Sequence, residues 1–202
     1  GRHAWLLRET VRDELRALLA AEDSTAAGFA DDVTEAVAVF PLRFLGGDSL
    51  YRPLGRGLSE MLTVDLASVD GVRVVERVRL QALLDELAVG RSDAFDAATV
   101  PRAGRLLRSG RVVGGALAVE GDVLRTDVGV WAWPSQPAPG LRTRQAGLAE
   151  LFRLEKEIVF GLLDDLGVEL TAAQRAEVER VPTQNLQAFL AYSRGLLDED
   201  AG

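Results

Sequence analysis

Val37-Ala38-Val39-Phe40-Pro41-Leu42 is the stretch that decides how this chain folds. Its first four residues are all apolar, so a strand made from them has no face suited to water. Such a strand belongs inside a sheet, paired in parallel and covered on both sides. We therefore expect a central strand over residues 36–42.

Working downstream, Arg43 to Pro53 reads as a polar loop holding Gly46-Gly47-Asp48-Ser49. Leu54, Leu58, Met61, Leu62, Leu66 and Val69 then recur at three- and four-residue spacing, the period of a helix with one buried face. Asp70-Gly71 stops that helix and starts a short strand over 72–75. A helix over 77–88 buries Leu80, Leu83, Leu84 and Leu87 and ends at Gly90, a residue suited to a left-handed cap. Another begins near Thr99 or Val100, with Pro101 in its first turn, and closes at Gly110. The period then changes to two. Residues 111–119 and 123–133 flank Glu120-Gly121-Asp122, which predicts a hairpin. In its second strand Leu124, Thr126, Val128, Val130 and Ala132 share the core face, and Arg125, Asp127, Gly129, Trp131 and Trp133 share a partly wet one. Pro134, Pro137, Pro139 and Gly140 end the sheet, with room for a short strand over 141–145.

Upstream of the central strand, Leu7, Val11, Leu15, Leu18 and Leu19 form the apolar stripe of a helix over 4–20, joined by a soft linker over 21–32. Beyond the sheet the chain is helical. Leu151, Phe152, Ile158, Val159, Leu162, Leu163 and Leu166 make a strong stripe stopped by Gly167. Thr171 is placed to cap a short helix, and Pro182-Thr183 opens a last one carrying Leu186, Phe189, Leu190, Leu196 and Leu197. The expected fold class is α/β: a small mixed sheet in the order β-α-β-α-α-β-β, flanked by helices. Its expected parts are an amphipathic helix and linker (1–33), an α/β domain (34–146) and an acidic helical tail (147–202).

With 202 residues, 48% of them hydrophobic, the chain is long enough for a substantial core. Its net charge of −8 argues against binding a nucleic-acid backbone, and residues 148–202, with 11 acidic and 5 basic residues, account for −6 of it. Lys156 is the only lysine. The absence of cysteine removes disulfides, cysteine nucleophiles and thiolate metal sites. No apolar run approaches the roughly 20 residues of a membrane helix. The first residue is glycine rather than methionine, so a targeting or anchor segment upstream is an expectation.

Several of these residues resemble one superfamily. Val37-Ala38-Val39-Phe40-Pro41-Leu42, Gly55-Arg56-Gly57-Leu58 and Val72-Arg73-Val74-Val75-Glu76-Arg77 follow its pattern. Leu80, Leu83, Leu84, Glu86 and Leu87 continue it, as does Arg105-Leu106-Leu107 with Gly110 and Val112-Val113-Gly114-Gly115. Over residues 36–145 the chain is similar to TolB N-terminal-like domains and to the curli-secretion, CsgG-like lipoproteins. The resemblance implies an α/β domain of the bacterial cell envelope. Curli-secretion pores add two hairpins per subunit to form a barrel; no such insertions are seen here, so a soluble relative of the pore subunits is one expectation. From Pro182-Thr183-Gln184-Asn185-Leu186, with Tyr192, Gly195 and Gly202, the tail resembles the opening helix of a tetratricopeptide repeat. Half a repeat cannot bury its own face, which implies further chain or a partner protein over Leu186, Phe189, Leu190 and Leu197.

No residue group stands out as catalytic. His3, the only histidine, has no Asp, Ser or Cys neighbour with which to form a triad. Glu35, Asp31-Asp32 and Asp164-Asp165 are read as solvated carboxylates. Arg43, Arg52 and Arg56, beside Gly46-Gly47-Asp48 and Gly55-Arg56-Gly57, allow an anion site at a helix N-terminus, although a turn with solvated arginines explains them more simply. Trp131 and Trp133, sharing a face with Arg125 and Asp127, suit either a protein interface or a sheet face covered by the first helix.

The expected function is that of a non-enzymatic interaction or structural module, periplasmic and peripheral to a membrane, with no cofactor and no metal. Its expected partners are other protein subunits, a membrane complex among them, or further copies of the chain. The alternative from another class is a domain that binds a nucleotide, anion or other small ligand through Arg43, Arg52 and Arg56.

Overall fold

The computed structural model describes residues 10–17, 19–20, 34–86, 99–132, 140–181 and 183–201. Helix α1 covers 10–17 and 19–20, and strands β1 (Thr34–Val39) and β2 (Arg43–Phe44) follow. Helices α2 (Leu54–Ala67), α3 (Arg77–Glu86) and α4 (Thr99–Leu106) lead to the strands β3 (Ser109–Glu120), β4 (Val123–Ala132) and β5 (Arg142–Gly147). Helices α5 (Leu151–Asp165), α6 (Ala172–Val178) and α7 (Leu186–Ala201) complete the chain. The sheet has the order β1-β3-β4-β5, with β2 also paired to β3. The fold is mixed α/β, a five-stranded sheet flanked by helices, as the periodicity predicts.

Val37, Ala38, Val39 and Phe40 are all buried. Strand β1 has β3 on one side, and on the other Val37 makes a single parallel bridge to Val74. In that bridge the Val37 N–H donates to Arg73 C=O at 2.7 Å and the Val75 N–H donates to Val37 C=O at 2.9 Å. The strand expected over 72–75 is reduced to this one bridge. Among the described residues that bridge is all that lies beyond β1, so the strand expected to be central stands at the end of the strand order.

Pro41 interrupts β1 without ending the pairing. Phe40 N–H donates to Val113 C=O at 2.9 Å, and β2 then continues in parallel along the same partner, Arg43 opposite Ala116 and Phe44 opposite Leu117. The expected loop therefore loses its first two residues to the sheet. At the break, the Ser59 hydroxyl accepts the Leu42 N–H at 2.8 Å and donates to Gly55 C=O at 2.6 Å, so these buried polar groups stay paired.

The end of α4 also differs from expectation. Arg108, with φ 53°, makes the left-handed turn after the helix, and Gly110 lies inside β3. Arg108 C=O accepts from both the N–H (3.1 Å) and the hydroxyl (2.6 Å) of Thr34, holding a conformation that costs a non-glycine residue about 1 kcal/mol. The hairpin forms where the sequence places it, with Gly121 at φ 59° in the turn. Strand β5 is antiparallel to β4, from Val123 opposite Gly147 to Val128 opposite Arg142.

The described residues fall into two compact units, one drawn from 1–38, 73–112 and 131–138, the other from 39–72, 113–130 and 139–202. In the first, α1 is tied to α3 by Arg12 with Asp85 (3.4 Å) and by Arg16 with Glu86 (3.0 Å). Leu15, Leu80, Leu83 and Leu84 are among its buried side chains. In the second, α2 presents Leu54, Leu58, Leu62 and Leu66, all buried, and packs against both α5 and α7. Phe152 of α5 and Phe189 of α7 meet edge to face, with ring centres 5.4 Å apart. Thr171 caps α6 in a reciprocal capping box with Gln174.

Candidate functional site

The two glycines that flank Arg56 are helix residues chosen for close approach. A Cβ on Gly55 would overlap the Leu42 carbonyl oxygen, and one on Gly57 would overlap Ser193 Oγ and lie 2.9 Å from Phe189 Cζ. Bare backbone at these positions lets α2 sit against the β1–β2 corner on one side and α7 on the other. Arg56 itself is buried, bound to Asp200 at 2.6 Å and to Glu60 at 3.0 Å. It therefore fastens α7 to α2, and its charge is already satisfied. Arg43 and Arg52 are exposed. Burial and ion pairing set Arg56 apart from the exposed Arg43 and Arg52, and the reading that Arg56 is solvated is corrected. Asp48 caps the single 3-10 turn Ser49–Tyr51, accepting from Leu50 N–H at 2.9 Å.

The apolar tail residues are divided between core and surface. Phe189 and Leu190 are buried, Leu186 is half-buried and Leu197 is at the surface. The expectation that another protein covers the whole stripe is corrected for Phe189 and Leu190, because α2 and α5 of the same unit already do so. What α7 leaves outward is Tyr192, 51% exposed, with Leu197. Trp131 is only 8% exposed, so its partner-facing reading is corrected as well. Trp133 lies outside the described residues, as do His3 and Asp31-Asp32. Glu35, Asp164 and Asp165 are exposed, and Asp165 pairs with Arg142 of β5.

Two features escaped the sequence reading. The first is apolar: Leu45 (55% exposed) and Leu50 (46% exposed) stand out from the segment that follows β2. A loop labelled polar by its Gly and Asp content carries an apolar pair at its surface.

The second is electrostatic. Glu155 of α5 is fully buried, and next to it the buried Lys156 ammonium binds Asp65 of α2. Lys156 Nζ lies 3.4 Å from Glu155 Oε2. Among the described residues neither Glu155 oxygen has a hydrogen-bond donor. Burial first, and the neighbouring Asp65 charge second, push the Glu155 carboxyl up to about 8, with Lys156 opposing them. Lys156 also lines a cleft of about 390 Å³ with Phe152, Arg153, Glu179, Val181 and Gln184. The signal available in the sequence was that this is the only lysine. Helical spacing carried a second sign, since Glu155 falls on the apolar stripe of α5, four residues after Leu151 and three before Ile158. Among the described residues, no group of His, Cys, Asp and Glu is arranged to hold a metal ion.

Compared with known families, residues 28–130 match the model of the curli production assembly/transport component CsgG. The matched segment is just over half of the chain and runs from before β1 to near the end of β4. A comparison with the curated proteins finds no match.

Proposed function

The chain belongs to the family of the curli production assembly/transport component CsgG, and from that premise we propose that it is a non-enzymatic protein-interaction module of the bacterial cell envelope. In this reading it faces the periplasm as an extrinsic subunit and docks on a larger membrane-associated assembly. The observation that carries the reading is the family match across β1 to β4, since assembly and transport of a protein product are done through contacts between proteins. The exposed apolar side chains supply surfaces for such contacts: Leu45 and Leu50 beyond β2, and Tyr192 and Leu197 on α7. No helix among the described residues is long and apolar enough to cross a membrane.

The test is fractionation of cells carrying the tagged chain, followed by light scattering on the purified protein. The expected result is release from the membrane fraction by high salt without detergent, in a complex well above the 21.8 kDa of one chain. Tyr192→Asp combined with Leu197→Asp should return the protein to monomer mass while its circular dichroism stays unchanged. A chain that stays monomeric both in envelope extracts and after purification overturns the reading. The rival, an anion or nucleotide site on Arg43, Arg52 and Arg56, predicts a raised melting temperature with those ligands. With Arg56 already ion-paired, no rise is expected.

A further inference from the structure

We propose that Asp65, Lys156 and Glu155 form a proton-operated lock between α2 and α5: Glu155 carries a proton while the helices are packed, and loss of that proton loosens them. Two carboxyls share one ammonium at a helix–helix contact, with Glu155 fully buried, Lys156 buried and Asp65 half-buried. Lys156 is held by Asp65, which leaves Glu155 with a cation at 3.4 Å but with no hydrogen-bond donor on either oxygen. An ionised Glu155 in that place is a buried anion with its lone pairs unmet, the costly case. A neutral Glu155 carries its own O–H, and the Asp65 carboxylate beside it is an acceptor.

The charged groups acting on Glu155 are Asp65, from α2, and Lys156, from its own helix. Of the other charged groups on elements packed against α5, Arg56 of α2 is paired with Glu60 and Asp200, Arg142 of β5 is bound to Asp165, Glu150 of the preceding turn pairs with Arg153, and Arg144 of β5 lies against Gly161, six residues along α5 from Glu155. The cleft beside α5 reaches the edge of the cluster at Lys156, whose side chain lines it.

The sign of the pH effect follows. The folded chain holds a proton on Glu155 up to about pH 8, whereas the unfolded chain releases it in the ordinary glutamate range. This contribution to stability is complete below the ordinary range and is lost as pH rises to about 8, beyond which it changes no further.

Two measurements on the full chain test the lock. Carbon-detected NMR of glutamate labelled at the side-chain carboxyl should show one resonance titrating near pH 8, and that resonance should be missing from Glu155→Gln. Amide hydrogen exchange, corrected for its intrinsic pH dependence, should show α2 and α5 losing about tenfold or more of their protection between about pH 6 and about pH 9. Glu155→Gln should keep that protection. Should the Gln variant fail to fold, Lys156→Gln takes its place: with the ammonium gone, the Glu155 titration should move further up. The proposal is overturned if every glutamate titrates below about pH 6. It is equally overturned if α2 and α5 keep their protection across the range, if Glu155→Gln loses as much as the parent, or if Lys156→Gln leaves the titration unmoved.

Discussion

Gly57 is the position where a single methyl group would do most damage. The α2–α7 contact is close because nothing projects from this residue; a Cβ there overlaps Ser193 Oγ, whose hydroxyl is itself tied to Phe189 C=O at 2.7 Å. Alanine has the better intrinsic helix propensity, by about 1 kcal/mol, so a freely exposed helix would gain from the change. Here overpacking outweighs that gain. Gly57→Ala should destabilise the protein by roughly 1–3 kcal/mol, read as a lower denaturant midpoint at unchanged slope. Gly47, where a Cβ meets nothing, is the control, and Gly47→Ala should leave the midpoint almost unmoved. The sequence displays Gly55-Arg56-Gly57 plainly but not its purpose. A glycine at a phosphate loop and a glycine at a helix crossing look the same until the opposing backbone is known.

For the elements, the fastening of α7 is the informative case. Arg56 is held between Glu60 on its own helix and Asp200 near the far end of α7, 144 residues away in sequence. Truncating Arg56 to alanine strands two partly buried carboxylates and should cost about 3–5 kcal/mol. Asp200→Ala leaves Arg56 with Glu60 and should cost less, about 1.5–3 kcal/mol. The two variants measured by urea unfolding check the order, and the reverse order would mean that Asp200 contributes to stability beyond its pairing with Arg56. Element boundaries were legible wherever local chemistry sets them, as at Gly121 in the hairpin and Thr171 at the start of α6. They were misread where a distant partner decides. Gly110 looks like a helix stop in the sequence, yet Arg108 takes the left-handed turn, held through its carbonyl by Thr34.

Taken as a whole, the molecule does not divide where its family match ends. The match stops at residue 130, but α2 within it, whose Leu58, Leu62 and Leu66 are buried, packs against α5 and α7 beyond it. A chain ending at residue 146 should therefore show no cooperative thermal transition and should bind a hydrophobic dye. The same chain with residues 147–202 restored should melt cooperatively. A sharp transition in the shorter chain would show that the α/β part buries its own core.

The α/β class, the main helices and the hairpin were determined by the sequence alone, because they follow from apolar periodicity and from the backbone preferences of Gly and Pro, which act over a few residues; the place of β1 at the end of the strand order was not. Tertiary structure alone decided which apolar stripe is core and which is surface. Phe189, Leu190 and Trp131 look like partner-facing residues until the chain itself is found to cover them, while Leu45 and Leu50 remain outside a loop that reads as polar. It also decided the state of the charges. Burial beside Asp65 is what keeps a proton on Glu155, and desolvation depends on everything packed around a group rather than on its neighbours in sequence.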